Sequence, residues 1–307
     1  MKKIFSVIAA FGLAATMAFA QDYNEAVDAF NAGAQALETN KTEALANFRA
    51  ALEKAQAIEG DEAAELVAKC KEAIPGVLMS IAKEKINEAA YDEALTVLAE
   101  TQAVAAEYEA AAVVEEAKSL VPNVYMRKGS TLLKEKDFAG AAAALAEVTK
   151  LTPEDGKAFL LLGQAQMQSG SADAVASLEK ANELGEAQAS KLLSTNFLKQ
   201  GQALLKAGKN ADAIAALEKS NSYAESANAY MLIASAYTKS GKSANAIEAY
   251  KKYLELAPNA KNTEDIIFTI AATAQKAGDK ATAKEYYGKL SSSAKYAAQA
   301  VAQLKTL

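Results

Sequence analysis

Three adjacent pairs of acidic residues are the side chains of this sequence best suited to acid–base chemistry. In such a pair, one carboxyl group can act as a general acid and its neighbour as a general base. Each pair lies at a predicted helix start or on a charged face. Carboxylates in such places are ordinarily solvated, or they interact favourably with the positive end of the helix dipole. We therefore predict no catalytic residue among Glu115-Glu116, Glu154-Asp155 and Glu264-Asp265.

Other chemistry-bearing residues are scarce. The chain has no histidine, the commonest general base and metal ligand in proteins, and it has a single cysteine. One cysteine cannot supply a zinc or iron–sulfur site of known spacing, and no glycine-rich phosphate loop is present. We predict a protein without enzymatic activity, metal or cofactor.

The single cysteine, Cys70, lies in a predicted helix between Lys69 and Lys71. A small side chain facing the core is one interpretation of this position. The alternative is a reactive thiol with a lowered pKa, or one that pairs between two chains.

The composition indicates a helical protein without affinity for nucleic acid. Of 307 residues, 51% are apolar and only four are proline, and many of the apolar residues are alanine. The formal net charge is −5, and it becomes −7 once Lys2 and Lys3 are removed. Lysine and glutamate are interspersed along the chain, which favours solubility over binding to a polyanion.

Residues 1–20 have the pattern of a secretory signal peptide. Lys2 and Lys3 precede an apolar run from Ile4 to Met17, and the small residues of Ala18-Phe19-Ala20 place the cleavage site between Ala20 and Gln21. An uncleaved membrane anchor is the alternative, but the run is shorter than the roughly 20 residues that a span needs. We predict a periplasmic protein with no membrane span after cleavage; outer-membrane association or secretion stays open.

A recurring pattern organises the rest of the chain. A small residue recurs at intervals of 34, 38, 33 and 37, and a large residue precedes each one by four positions. The small residues are Gly129, Gly163, Gly201, Ala234 and Ala271, and the large ones are Tyr125, Phe159, Phe197, Tyr230 and Ile267. This pattern resembles the tetratricopeptide repeat, a helix–turn–helix unit of about 34 residues.

The resemblance implies an all-α right-handed solenoid of antiparallel helix hairpins. It divides the mature chain into irregular, longer hairpins at 21–121, a regular array at 122–293, and a capping helix at 294–307. A second internal repeat relates 71–79 to 118–126 with an offset of 47, which places Pro75 opposite Pro122. The sequence leaves open whether these prolines kink a long helix or begin a new one.

Turn residues give finer predictions for the regular array. Four glycines are predicted to end outgoing helices in the left-handed conformation: Gly170, Gly208, Gly241 and Gly278. Three polar residues are predicted as N-caps of the return helices: Ser171, Asn210 and Ser243. The recurring small residues are predicted to let the two helices approach closely, so that Gly201→Leu would overpack the contact.

The resemblance also implies a binding surface, because the first helix of each tetratricopeptide repeat lines a concave face that binds partner segments. The matching residues are Met126, Leu160, Gln164, Met167, Leu198, Gln202, Leu205, Met231, Ser235 and Phe268. Two interpretations stay open, namely contact with a partner and packing between repeats. Two interpretations are also open for the lysines beside this strip, Lys134, Lys206, Lys239 and Lys276. They can contact a partner, or they can stand near helix C-termini because cations suit the helix dipole there.

The sequence thus predicts a non-catalytic scaffold of the cell envelope that binds an unknown protein partner. A partner bound through its C-terminal carboxylate is disfavoured, because Leu160 and Leu198 stand where a charged clamp is needed. The alternative is an architectural protein that self-associates. A glycan-binding or peptidoglycan-binding module is less supported, because the chain has no tryptophan and Tyr237 and Tyr250 occupy packing positions of the repeat.

Overall fold

The computed structural model describes residues 19–307, and within them it contains fifteen α-helices and no strand. Residues 1–18 of the predicted signal peptide lie outside the described residues, and the first helix begins at Phe19. The helices are α1 Phe19–Ala36, α2 Lys41–Gln56, α3 Asp61–Asn87, α4 Tyr91–Glu107, α5 Ala111–Glu135, α6 Phe138–Leu151, α7 Gly156–Ser169, α8 Ala174–Glu183, α9 Ala187–Lys206, α10 Asn210–Tyr223, α11 Ala227–Lys239, α12 Ser243–Leu256, α13 Thr263–Lys276, α14 Lys280–Gly288 and α15 Ala297–Leu304.

The prediction of an all-α array of helical hairpins is confirmed. Within residues 19–171 and within residues 172–307, consecutive helices pack on one another in chain order and are joined by short turns, so that they run antiparallel. The helices form two compact units, one that ends at Ser171 and one that spans Ala172–Leu307. We call them unit 1 and unit 2; the segment boundaries predicted from the sequence stay a prediction.

Both prolines of the 47-residue repeat lie inside continuous helices of unit 1. Pro75 is within the 27 residues of α3, and Pro122 is within the 25 residues of α5. An internal proline leaves one helical carbonyl without its donor and costs about 3 kcal/mol. The buried face of α3, which includes Leu66, Ile74 and Leu78, offsets that cost by apolar burial. In the hairpins α3–α4 and α5–α6, the first helix is longer than in a regular repeat. This extra length explains why the internal repeat has an offset of 47 residues.

Small residues form close helix contacts in both units, as predicted. All five recurring small residues are buried. In unit 1, a Cβ atom added at Gly129 would lie 2.6 Å from Leu145 Cγ; in unit 2, one added at Gly201 would lie 2.5 Å from Leu217 Cγ. Each leucine therefore packs directly against the opposite backbone.

The predicted glycine turns are confirmed. Gly170, Gly208, Gly241 and Gly278 have φ between 72° and 81°, a region that costs little for glycine alone. Three turns of unit 1 place other residues in this region: Ala89, Glu109 and Lys136, with φ of 60°, 58° and 65°.

The predicted N-caps are wrong by one or two positions. The caps are Asp173 for α8, Lys209 for α10 and Lys242 for α12. Asn210 and Ser243 are instead the first residues of their helices, because the turn after the glycine is one residue shorter than the cap pattern assumes. Side-chain capping occurs elsewhere, where Asn40, Asp137, Asp155, Ser226 and Asp279 accept a backbone N–H.

The C-terminal segment packs on the last hairpin through α15. Ala300 is fully buried in the core of unit 2, and Leu304 packs against that core. Gln275 of α13 donates a hydrogen bond to Gln303 over 2.9 Å. The segment therefore covers apolar surface that the last hairpin would otherwise expose.

Substitution of Gly201 by alanine tests the close helix contact. We expect the free energy of unfolding to fall by about 1–3 kcal/mol, because Leu217 is fully buried and cannot move away from the new methyl group. Gly288→Ala is the matched control, since a Cβ there meets no atom within 4 Å. Urea unfolding followed by circular dichroism measures both. Equal stability of the two variants would contradict the packing argument.

Candidate functional site

The predicted strip is only partly accessible in unit 1. Met126 is half-buried and packs against a cluster that contains Ala141 and Leu145. Leu160 is 6% exposed and offers almost no surface to a partner. Gln164 and Met167 are partly exposed on α7. For Leu160, the structure thus favours packing over partner contact.

In unit 2 the strip combines core contacts with accessible surface. Leu198 and Leu205 on α9 and Met231 on α11 are partly exposed while they pack against the main core cluster. Gln202 and Ser235 stand beside them and are also partly exposed. Leu198, Gln202 and Leu205 follow the i, i+4, i+7 spacing of one helix face.

Phe268, the last residue of the predicted strip, lies under the chain's own C-terminal segment. The Tyr296 ring stacks on it with centroids 4.7 Å apart, and the Tyr287 ring meets it edge-on at 5.8 Å. Tyr296 Oη also donates a hydrogen bond to Asp265 over 2.9 Å. The C-terminal segment therefore takes the place of a partner at this end of the strip.

A groove of about 600 Å³ between α10, α11 and α12 was not predicted. Its lining includes Glu218, Asn221, Tyr230, Tyr237, Asn245 and Glu248. The two tyrosines lie seven residues apart and so share one face of α11. That spacing is the signal in the sequence that could have revealed the groove, but the repeat pattern assigned Tyr230 and Tyr237 to packing.

Hydrogen bonds orient both tyrosines of this groove. Tyr230 donates to Glu225 over 2.8 Å, and that bond, with burial, raises the pKa of the phenol. Tyr237 donates to Glu218 over 3.3 Å; burial and the Glu218 charge raise its pKa. Asn221 accepts the Ser226 N–H, while its own amide nitrogen is buried without a hydrogen-bond partner among the described residues. The groove therefore offers the ring faces of two tyrosines whose phenols stay protonated near neutral pH.

A cluster beside the first helices of unit 2 fixes α8, α9 and α10 together. Tyr223 donates a 2.6 Å hydrogen bond to Glu179, and Lys219 lies 3.0 Å from the same carboxylate. These two contacts lower the pKa of Glu179, whereas burial and the bond to Glu179 raise the pKa of Tyr223 to about 12. The Tyr223 ring stacks on Phe197 with centroids 5.9 Å apart. The cluster is a structural clamp, because each polar group already has its partner.

Five of the six side chains in the acidic pairs, all except Glu154, have structural partners as well among the described residues. Glu115 pairs with Lys118, and Glu116 with Lys83. Asp155 caps α7 through the Ala158 N–H, and Glu264 accepts a bond from Ser293. In the part of the chain from 19 to 307, no group of three acidic or cysteine side chains could hold a metal ion. Nor does that part contain a helix long and apolar enough to cross a bilayer.

Cys70 is a core residue of unit 1. It is fully buried and forms no disulfide. Burial raises the pKa of its thiol to about 12, because a thiolate would lose its hydration there. The structure therefore favours the interpretation as a small core side chain over the reactive thiol.

Stacked antiparallel hairpins with small residues at their contacts define a helical repeat protein. A family model for the tetratricopeptide repeat matches residues 126–188 and 198–261. These parts of the chain thus consist of tetratricopeptide repeats, as their spacing indicated. No curated protein matches the sequence.

Several solved structures resemble the chain. MamA is 26% identical, covers 59% of this chain and 96% of its own length, and gives a TM-score of 0.33. TTC0263, a thermophilic TPR protein in Thermus thermophilus, is 16% identical over 60% and 97%, with a TM-score of 0.27. YrrB, described as a TPR protein with an unusual peptide-binding site, is 16% identical over 64% and 97%, with a TM-score of 0.32.

Thiol labelling tests the state of Cys70. At pH 8 we expect an aromatic disulfide reagent to react with the native protein at least about a hundredfold more slowly than with protein unfolded in urea, because native Cys70 is both buried and protonated. The absorbance of the released thiolate measures both rates. A native rate close to that of the unfolded chain would contradict the burial of Cys70 and the raised pKa of its thiol.

Proposed function

We propose that this protein is a non-catalytic scaffold of the cell envelope that binds segments of partner proteins. The observation that carries the proposal is the strip of unit 2, where apolar side chains stay partly exposed beside amide and hydroxyl groups on α9 and α11. We call this surface the unit 2 strip; it comprises Leu198, Gln202, Leu205, Met231 and Ser235.

The unit 2 strip suits an extended or helical segment with apolar anchors. Leu198, Leu205 and Met231 are held by the core behind them, so little side-chain entropy is lost when a partner covers their exposed parts. Met231 adds a flexible, polarisable side chain that adapts to different apolar groups. Gln202 and Ser235 can hydrogen-bond to a partner's backbone and fix its register.

The envelope location is supported by the first twenty residues. They combine two lysines, an apolar run too short for a span, and small residues before Gln21.

Sequencing of the exported protein's N-terminus tests the location. We expect it to begin at Gln21, because a signal peptidase requires small residues at positions 18 and 20. Ala18→Leu combined with Ala20→Leu should leave the precursor uncut and attached to the membrane. A protein that begins at Met1 in the soluble cell fraction would overturn the envelope location and leave the binding proposal intact.

Capture of partners from an envelope extract tests the unit 2 strip. A strip variant carries Gln202→Arg and Ser235→Arg, which add two charges to the strip without removing a core side chain. We expect at least about a tenfold loss of the captured partner, because burial of an unpaired charge costs more than about 1.4 kcal/mol. Quantitative mass spectrometry of the captured proteins gives the ratio to wild type.

The matched control places the same charges in the groove, as Ser222→Arg and Asn245→Arg. Both residues line the groove and are exposed. Circular dichroism first establishes that both variants are folded. If only the groove variant loses the captured partner, the binding site lies in the groove. Equal capture by the wild type, the strip variant and the groove variant would overturn the assignment to the strip.

A further inference from the structure

Charge is divided unequally between the two units. Residues 19–171 contain 25 acidic and 14 basic side chains, a net charge of −11. Residues 172–307 contain 13 acidic and 17 basic side chains, a net charge of +4. A strongly acidic unit and a basic unit in one chain are complementary between two copies of it.

The positive charge of unit 2 is concentrated at the turns inside its hairpins. Since the helices are antiparallel and joined in chain order, the α9–α10, α11–α12 and α13–α14 turns lie along one edge of this unit. Each turn carries two exposed lysines. We call them the lysine edge: Lys206, Lys209, Lys239, Lys242, Lys276 and Lys280.

Half of the lysine edge stands at helix N-termini. Lys209 and Lys242 are the N-cap residues of α10 and α12, and Lys280 is the first residue of α14. The positive end of the helix dipole lies at these positions, so a cation there is unfavourable by a few tenths of a kcal/mol or more. The helix dipole therefore does not account for lysine at these three places. Lys242 Nζ lies 6.0 Å from the centre of the Tyr237 ring, and Lys280 Nζ donates to Leu307 O over 3.4 Å, but neither contact is an ion pair with a carboxylate side chain.

A row of carboxylates occurs at the turns between the hairpins of unit 1. The α2–α3, α4–α5 and α6–α7 turns share one edge of that unit by the same argument. We call its exposed acids the acidic edge: Glu59, Asp61, Glu62, Glu107, Glu109 and Glu154. Glu107 ends α4, where the dipole disfavours an anion, and Glu109 has a φ of 58°, which costs free energy for any residue but glycine.

Neither edge is neutralised within its unit. Six other surface lysines of unit 2 form ion pairs, among them Lys219–Glu179 at 3.0 Å and Lys252–Glu255 at 2.6 Å. Within residues 19–307, no lysine of the lysine edge forms an ion pair with a carboxylate side chain, and no residue of the acidic edge forms an ion pair. Six cations thus stand at three turns of unit 2, with one anion, Asp279, among them, and six anions stand at three turns of unit 1, with one cation, Lys157, beside them.

We propose that the lysine edge of one copy binds the acidic edge of a second copy. Both edges repeat once per hairpin, so several charges can pair at once, although a single exposed pair contributes little. Two different edges meet in this contact, and each copy carries both of them. Copies therefore associate with one another through these edges, and salt weakens the association.

Charge exchange tests the proposal on protein purified after expression of the full chain. A lysine-edge variant carries Lys209→Glu, Lys242→Glu and Lys280→Glu, which place anions at helix N-termini and should not harm folding. An acidic-edge variant carries Glu59→Lys, Glu107→Lys and Glu109→Lys. Sedimentation velocity gives the average mass of each protein against concentration, at about 20 mM and about 500 mM salt, where screening differs strongly.

We expect the average mass of the wild type to rise with protein concentration at low salt, and we expect the wild type to be monomeric at high salt. Each variant alone should be monomeric at both, because like charges then face each other. An equal mixture of the two variants should associate again at low salt, since the exchanged charges are once more complementary. Folding is checked by circular dichroism, and each variant tests the proposal independently of the other.

The matched control carries Lys191→Glu, Lys199→Glu and Lys284→Glu. It has the same net charge as the lysine-edge variant, but its exposed residues lie outside the turns inside the hairpins. It should associate like the wild type. A monomeric wild type at low salt, association of either variant alone, or a mixture that stays monomeric would each overturn the proposal. So would a wild type that binds anionic phospholipid vesicles through the lysine edge without binding itself.

Discussion

The close approach of two antiparallel helices at a residue without a large side chain is the contact on which the hairpins depend. At Gly201 and Gly129, a buried leucine of the opposite helix occupies the space of the missing side chain. Where alanine replaces glycine, at Ala234 and Ala271, that residue is fully buried too. These contacts fix the distance between helices, and with it which residues are left for the surface.

Most of the core could be predicted from the sequence, because the small residues recur at one period and the large residues keep a fixed offset from them. The strip could not be resolved in the same way. Leu160 and Leu198 occupy equivalent positions of the repeat, yet Leu160 is buried and Leu198 is partly exposed. Accessibility depends on neighbouring hairpins that the position within one repeat does not specify.

The positions of the prolines and of the N-caps also could not be decided from local sequence patterns. Pro75 is compatible both with a helix start and with an interior position, and tertiary burial of α3 decides for the interior. The N-cap prediction failed because the turn after Gly208 places Lys209 at the cap and Asn210 inside the helix. Local patterns located each turn, but only the backbone path settles which residue takes which position in it.

Packing determines where apolar side chains stand, but it does not determine the sign of the charge at an exposed turn. Lysines at the helix N-termini of unit 2 and Glu107 at the C-terminus of α4 all oppose the local helix dipole. A residue that opposes its local environment in a stable fold points to an interaction outside that fold. The repeat thus leaves its helix faces for apolar contacts and its turns for charge, so a partner segment and a second copy can bind without competing for the same residues.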